Sequence, residues 1–572
     1  MTLTPISDLT PAALADATWE DIRPLYQELV DRPMDPTTIE AWLADWSRLE
    51  EVVSEAAALA MMAYTCDTTD QAKEAAHLRF SAEILPRMEE LEVELARRLL
   101  DAGFTRPDLA VTIARFRTAA ELFREENVPL NTEIEEYCTA YQKLTGGLTV
   151  QWDGRERTLP ELQPFLQVPD RAVRERAFRS ICGKYTEVRT DLAGIFDRLY
   201  DLRVRVAHNA GFDDYEAYAF RSKCRFDYTP ADCRRFHAAV EALVAPAVER
   251  IMARRRRRLG VPTLRPWDTG PDPEGREPIR PFQTAGELIT TSRRVLDQVA
   301  PAFGSAFQAM MDERLLDLDV RKGKAPGGYC ETLHYRGRPF IFMNAVGVLD
   351  DISTLLHESG HAFHAFEARR QPLIWQRHPG LEMCELASMS MELLASPYLG
   401  RESGGFFAPE ELARARIEHL EDVLVTLSHV ASVDAFQSWI YTSGEGRDCD
   451  ARDQAWLRVR RRFERGVDWS GLDQERISRW YRQLHIFLYP FYYIEYGIAQ
   501  VGALQLWRRS LQDPEGTVER YRQALELGNT RPLPELYRAA GIEFTFDQAV
   551  IGDLVALVEQ ELEKWYSAAG IR

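Results

Sequence analysis

His357-Glu358-Ser359-Gly360-His361 is the stretch whose residue types and spacing could do chemistry. On a helix, residues four apart stack on one face, so His357 and His361 can grip one divalent ion from the same side. Glu358 follows the first histidine directly. It leans toward the open side of such an ion, where a general base for an activated water would stand. Leu355, Leu356, Ala362, Phe363 and Phe366 surround these polar groups. They imply a helix mostly buried in protein, which keeps the site dry.

Two imidazoles and a catalytic water leave room for one more protein ligand. His364 lies one turn beyond His361, too far along a straight helix to reach the same ion. The following residues, Ala365 to Arg369, contain no glycine to bend it back, so His364 reads as a supporting or core residue. After Gln371-Pro372 and a loop ending at His378-Pro379-Gly380, a second helix reads from Leu381 to Leu394. Glu382, Glu385 and Glu392 share one stripe of it. Buried carboxylates are costly unless they bind a metal or a partner, so the stripe points to a metal. Spacing alone leaves Glu382 and Glu385 both open as the ligand.

The histidine run, extended to His364 and joined to Glu385-Leu386-Ala387-Ser388, resembles the M3 family of zinc metallopeptidases. This is the group of thimet oligopeptidase and oligoendopeptidase F, and the likeness is strongest to its bacterial PZ-peptidase branch. Leu264-Arg265-Pro266-Trp267-Asp268 looks like the same branch. The resemblance implies one Zn2+ per chain on His357, His361 and Glu385, with Glu358 as base. Glu392 would support the histidine ligands from behind. The aromatic run His485 to Gly497 matches the family's C-terminal histidine and spaced tyrosines. By that match His485, Tyr493 and Tyr496 would stabilise the oxyanion, while Tyr489 and Tyr492 would contact substrate.

The elements that must position these groups read as mostly helical. Residues 1–190 carry long amphipathic patterns, as in Ile39, Trp42, Leu43, Trp46, Leu49, Val53 and Ala56. Asp35-Pro36 reads as a helix start, Thr68 to Gln71 as a capping box, and Pro86 as a kink or break. Thr149 to Trp152 opens a short hairpin around Asp153-Gly154. The five arginines 254–258 read as the cationic end of a helix closed by Gly260 and Pro262. Residues 316–320 and 340–344 have strand composition, and a glycine-rich loop lies between them. No helix opens from that loop with the lysine and hydroxyl placed as a phosphate-binding loop requires. By the family resemblance, this small sheet pairs with extended substrate, and Gly327 and Gly328 permit close backbone approach.

The expected fold is mainly α, with a small β-sheet beside the zinc-binding helix in a zincin-like catalytic core. The resemblance adds two helical lobes around a deep substrate channel. An N-terminal helical lobe is placed at 1–195 and the catalytic region at 196–572. The net charge of −19 repels nucleic acid and anionic lipid and suits solubility or cationic peptides. Eight scattered cysteines without a C-x-x-C pair read as reduced thiols. The start, Met1 to Asp8, lacks a basic region and a long apolar run, and no segment is apolar enough to span a membrane. The expectation is a cytoplasmic monomer or small homo-oligomer. It would hydrolyse internal bonds of short unstructured peptides. Two rivals are a zinc carboxypeptidase and a non-catalytic peptide-binding protein.

Overall fold

The computed structural model describes residues 5–571; Met1 to Thr4, part of the N-terminal reading, lie outside them. The chain forms two compact units. The first comprises Met1–Leu122, Ile279–Ala415 and Ala499–Phe544. The second comprises Phe123–Pro278, Arg416–Ile498 and Thr545–Arg572. The position 195/196 falls inside the continuous helix Arg189–Asn209.

The first unit begins around the helix Ile39–Cys66, whose Trp42, Trp46, Leu49 and Val53 are fully buried. Trp46 packs on Phe116 and Trp375 at 5.0 and 4.5 Å between ring centroids. This helix starts at Ile39 and not at Pro36, because Asp35 instead closes a turn by accepting from the Thr37 amide at 2.7 Å. The capping box expected at Thr68 to Gln71 is replaced by Asp70, which alone accepts from the Ala72 and Lys73 amides. The break at Pro86 is present. A π-helical segment, Arg79–Ile84, precedes the helix Leu85–Asp101, with Pro86 in its first turn, where a missing amide proton costs nothing.

The same unit carries a three-stranded sheet in the order β3-β5-β4: β3 is Leu316–Asp319, β4 Tyr329–Leu333 and β5 Arg338–Ala345. β5 pairs parallel with β3 and antiparallel with β4. β4 follows directly on the glycine-rich loop and is an edge strand. β5 runs into the histidine helix, Leu349–Ala368, and Asp351 caps its start by accepting from the amides of Val346, Gly347 and Val348.

The second unit is helical apart from the hairpin of β1 (Thr149–Trp152) and β2 (Arg155–Thr158). Its arginine run ends a helix at Gly260, which is left-handed at φ 65°. Arg254 pairs with Glu563 and Arg258 with Glu274, each at 2.6 Å, so these charges are internal neutralisers. Among the described residues no helix is long and apolar enough to cross a membrane.

Candidate metal centre

The histidine helix lies against the glutamate helix, Leu381–Ala395. Their approach is set by Gly360 on one side and Ala387-Ser388 on the other. A Cβ on Gly360 would stand 2.5 Å from the Ala387 carbonyl oxygen. Tyr521, buried, donates to that same carbonyl at 2.7 Å and fastens the glutamate helix from a third helix, Pro514–Glu526. Small residues at the crossing thus bring Glu385 to the histidines.

His357 Nε2 lies 3.3 Å and His361 Nε2 3.8 Å from Glu385 Oε2. One donor atom from each residue falls within 4.8 Å of the others. Among the described residues this carboxylate, and not that of Glu382, is gathered with both imidazoles. Ser388 Oγ donates to Glu385 Oε2 at 3.1 Å and steadies it. His357 Nδ1 donates to Glu392 Oε1 at 2.8 Å, which leaves Nε2 to face Glu385.

The charge balance of the site calls for a cation. Burial opposes charge on His357, but its bonds to Glu385 and Glu392 outweigh burial and hold the imidazole well above its usual range. Burial drives His361 down to about 4, so that ring is neutral near pH 7. A divalent ion would replace the His357 proton and answer both carboxylates. The nitrogen-nitrogen-oxygen donor set fits a borderline ion such as zinc. Glu358, buried beside the triad, is lifted to about 7 by burial; the charges of Glu385 and Glu392 add to this, and His357 opposes it. His364 is buried, and burial holds it down to about 3. A second grouping, Cys449, Asp450 and Asp453, is already answered by Arg189, which pairs with the two aspartates at 2.7 and 2.6 Å.

Gly327 and Gly328 lie in the loop before β4. Gly327 is left-handed at φ 98°, and a Cβ on Gly328 would stand 3.6 Å from Thr354 of the histidine helix. The loop is pinned by Asn344, which donates to the Ala325 and Gly327 carbonyls at 2.9 and 3.1 Å. Lys324, its side chain fully buried, donates to the Asp317, Asp319 and Met343 carbonyls.

In the second unit, His485 gathers the tyrosines around itself. Its ring stacks on Tyr492 at 5.6 Å and meets Tyr493 edge-on at 4.8 Å. Tyr489 and Tyr496 follow at 6.1 and 6.4 Å, and Tyr489 is 54% exposed. Sequence reasoning missed the polar residues that hold this cluster. Gln483 donates to Tyr493 Oη at 2.6 Å, and His429 donates to Gln483 Oε1 at 3.1 Å. A glutamine two residues before a histidine is no signal by itself, and His429 is 54 residues away from Gln483.

A chain so built around a histidine-glutamate helix and a supporting carboxylate helix falls in a known class. The model for peptidase family M3 matches residues 165–555, and that for the peptidase M3 N-terminal domain matches residues 13–115. The chain belongs to peptidase family M3. The solved structure of PZ peptidase A with inhibitor 2 superposes at a TM-score of 0.87, with 28% identity over 96% of this chain and 98% of that one. Oligopeptidase PepF of Bacillus subtilis (strain 168) is 24% identical over 253 residues, 43% of this chain and 36% of its own length. The chromosomal oligoendopeptidase F of Lactococcus lactis subsp. cremoris is 31% identical over 118 residues, 20% of this chain and 19% of its own length. The matched regions thus span well under two thirds of these two curated relatives.

Proposed function

We propose that the protein is a zinc-dependent oligoendopeptidase that cuts internal bonds of short, unstructured peptides. One observation carries the reading: buried Glu358 stands beside two imidazoles and a carboxylate whose donor atoms lie within 4.8 Å of one another. His357, His361 and Glu385 would hold the ion, which when bound polarises a peptide carbonyl and makes water a nucleophile near neutral pH. Glu358 takes the proton of the attacking water on its carboxylate and returns it to the nitrogen of the leaving amine. A carboxyl lifted to about 7 suits both halves of that transfer. Glu392 holds the His357 ring by Nδ1, and Ser388 fixes the Glu385 oxygen.

Further roles follow the family pattern. His485, Tyr493 and Tyr496 are assigned as donors to the anionic oxygen that develops on the carbonyl. Tyr489, Tyr492 and the backbone at Gly327-Gly328 are assigned to substrate. All eight cysteines are free thiols, which supports work in the reducing cytoplasm.

The test is Glu358→Gln, assayed on a fluorogenic peptide blocked at both ends. The variant should keep its metal and lose turnover. Appreciable residual cleavage removes Glu358 from the role, and failure of the parent protein to cut any doubly blocked peptide removes the endopeptidase reading.

A further inference from the structure

A cavity of about 390 Å³ opens in the first unit between the helix Ile39–Cys66, the helix Ala110–Leu122, edge strand β4 and the segment 374–378. That is a size typical of small binding pockets. Successive residues of a strand point to opposite faces. On β4, Cys330 feels the Glu358 charge, while Tyr329 bonds Thr65 of the long helix at 2.7 Å and Glu331 lines the cavity. One face of β4 therefore serves Glu358 and the other serves the cavity. β4 has no second strand neighbour among the described residues, so its outer edge can pair with an extended peptide. Alternate side chains of that peptide would then point to alternate faces.

The cavity wall is built to bind something polar. Glu331 accepts one bond, from the Thr332 amide at 3.2 Å, and has no cation partner among the described residues. Thr112 Oγ1 and His334 Nδ1 are buried there without partners, in residues only 2% and 8% exposed. Such atoms are costly unless a ligand satisfies them. Phe116 and Trp375 supply aromatic wall, edge to face at 5.2 Å. Arg115 also reaches the cavity, but it donates to the His378 carbonyl at 2.7 Å. His334 and His378 hydrogen-bond each other through Nε2 at 2.7 Å, and burial holds both rings neutral. Glu50 is also in the lining, but it accepts from Tyr26 and Trp46, and burial raises its carboxyl well above the usual range, so Glu331 is the carboxylate left to answer a cation.

We infer that this cavity is a specificity pocket for a basic side chain, lysine or arginine, of a peptide laid along β4. Glu331 would pair the cation, and the aromatic rings would flank its stem. The net charge of −19 would draw such peptides in. The inference rests on the oligoendopeptidase reading and names the substrate class of that site.

The test has two arms. In the first, the metal-loaded protein cleaves internally quenched peptides of one length that carry lysine, arginine, norleucine or glutamate at each position in turn. At one position relative to the cut, a basic residue should raise kcat/KM at least about tenfold over norleucine, as for a site built to bond the missing group. Glu331→Gln should bring that ratio near one. Ratios near one at every position in the parent protein, or an undiminished ratio in Glu331→Gln, overturn the inference. In the second arm, Glu358→Gln binds labelled lysine and norleucine peptides without cutting them. Equal affinities overturn the pocket. Absence of all cleavage alongside a clear lysine preference in binding counts against the peptidase reading alone.

Discussion

Glu392 holds His357 by its Nδ1 atom, 2.8 Å from the carboxylate, so that the ring's other nitrogen is turned toward Glu385. The carboxylate fixes both the tautomer and the orientation of a ligand it does not share. Glu392→Ala should leave the fold intact and weaken metal affinity by about 10–100-fold, the usual effect of losing such a partner. Competition against a graded set of chelators measures it. Unchanged affinity would mean that His357 is oriented by packing alone.

Gly360 controls how closely the helices carrying His357, His361 and Glu385 approach. Alanine is the better helix former by about 1 kcal/mol, so the substitution would stabilise an isolated helix. Here the new Cβ would meet backbone atoms of Ala387 and Ser388 at 2.5 Å, and backbone cannot swing aside as a side chain can. Overpacking of this kind costs about 1–3 kcal/mol. Gly360→Ala should therefore lower the melting temperature and also reduce metal content, because the helices part and Glu385 moves off the histidines. A stable variant with full metal would show that the crossing can relax.

The gathering of His357, His361 and Glu385 was legible because its information is local. A four-residue histidine spacing and a carboxylate stripe on the next helix already define two faces. The choice between Glu382 and Glu385 was not local, since it depends on how the helices cross at Gly360 and Ala387. β4 was hidden for another reason. Tyr329, Cys330, Glu331 and Thr332 are all half-buried, so they show no alternation of apolar and polar residues. The helix start at Ile39 was missed because Asp35 can cap a helix or close a turn with equal ease, and tertiary packing decides. The aromatic run announced a cluster, but the glutamine and histidine that organise it lie in segments joined only by the fold.

Asp317 gives the sheet region an acid-sensitive anchor. Burial pushes its carboxyl up, but bonds from Arg321, Cys66 and Lys324 outweigh burial and hold it well below the usual carboxylate range. A group with a depressed folded-state value contributes stability that is complete above its unfolded value, about 3.9, and is lost as pH falls further. Lys324, its side chain fully buried, pairs with Asp317 at 2.9 Å. Asp317→Asn should cost about 1–3 kcal/mol at pH 7, the range for losing hydrogen bonds to a charged group, since Lys324 keeps its three carbonyl acceptors. It should also flatten the fall in stability below pH 4. Denaturant titrations at several pH values read both effects. Parallel acid limbs in parent and variant would assign the transition to another carboxylate.

The hydrogen-bond chain behind the tyrosine cluster determines where two protons sit. Gln483 Oε1 can only accept, so His429 must donate from Nε2, and its Nδ1 then accepts from Arg460 at 3.1 Å. Burial holds His429 down to about 3, which agrees with a neutral ring carrying one proton. The orientation this imposes on Gln483 leaves its amide nitrogen as a double donor, to Tyr493 Oη at 2.6 Å and to His485 Nδ1 at 3.4 Å. The Tyr493 hydroxyl is thus an acceptor on that side, and its own proton is directed elsewhere. Neutral His485 must carry its proton on Nε2. Nitrogen-15 spectra of histidine-labelled protein should show His485 as the Nε2–H tautomer, and Gln483→Glu, whose carboxylate only accepts, should shift it to Nδ1–H. A parent protein already in the Nδ1–H form would reverse the order of donors along the chain and with it the availability of both protons.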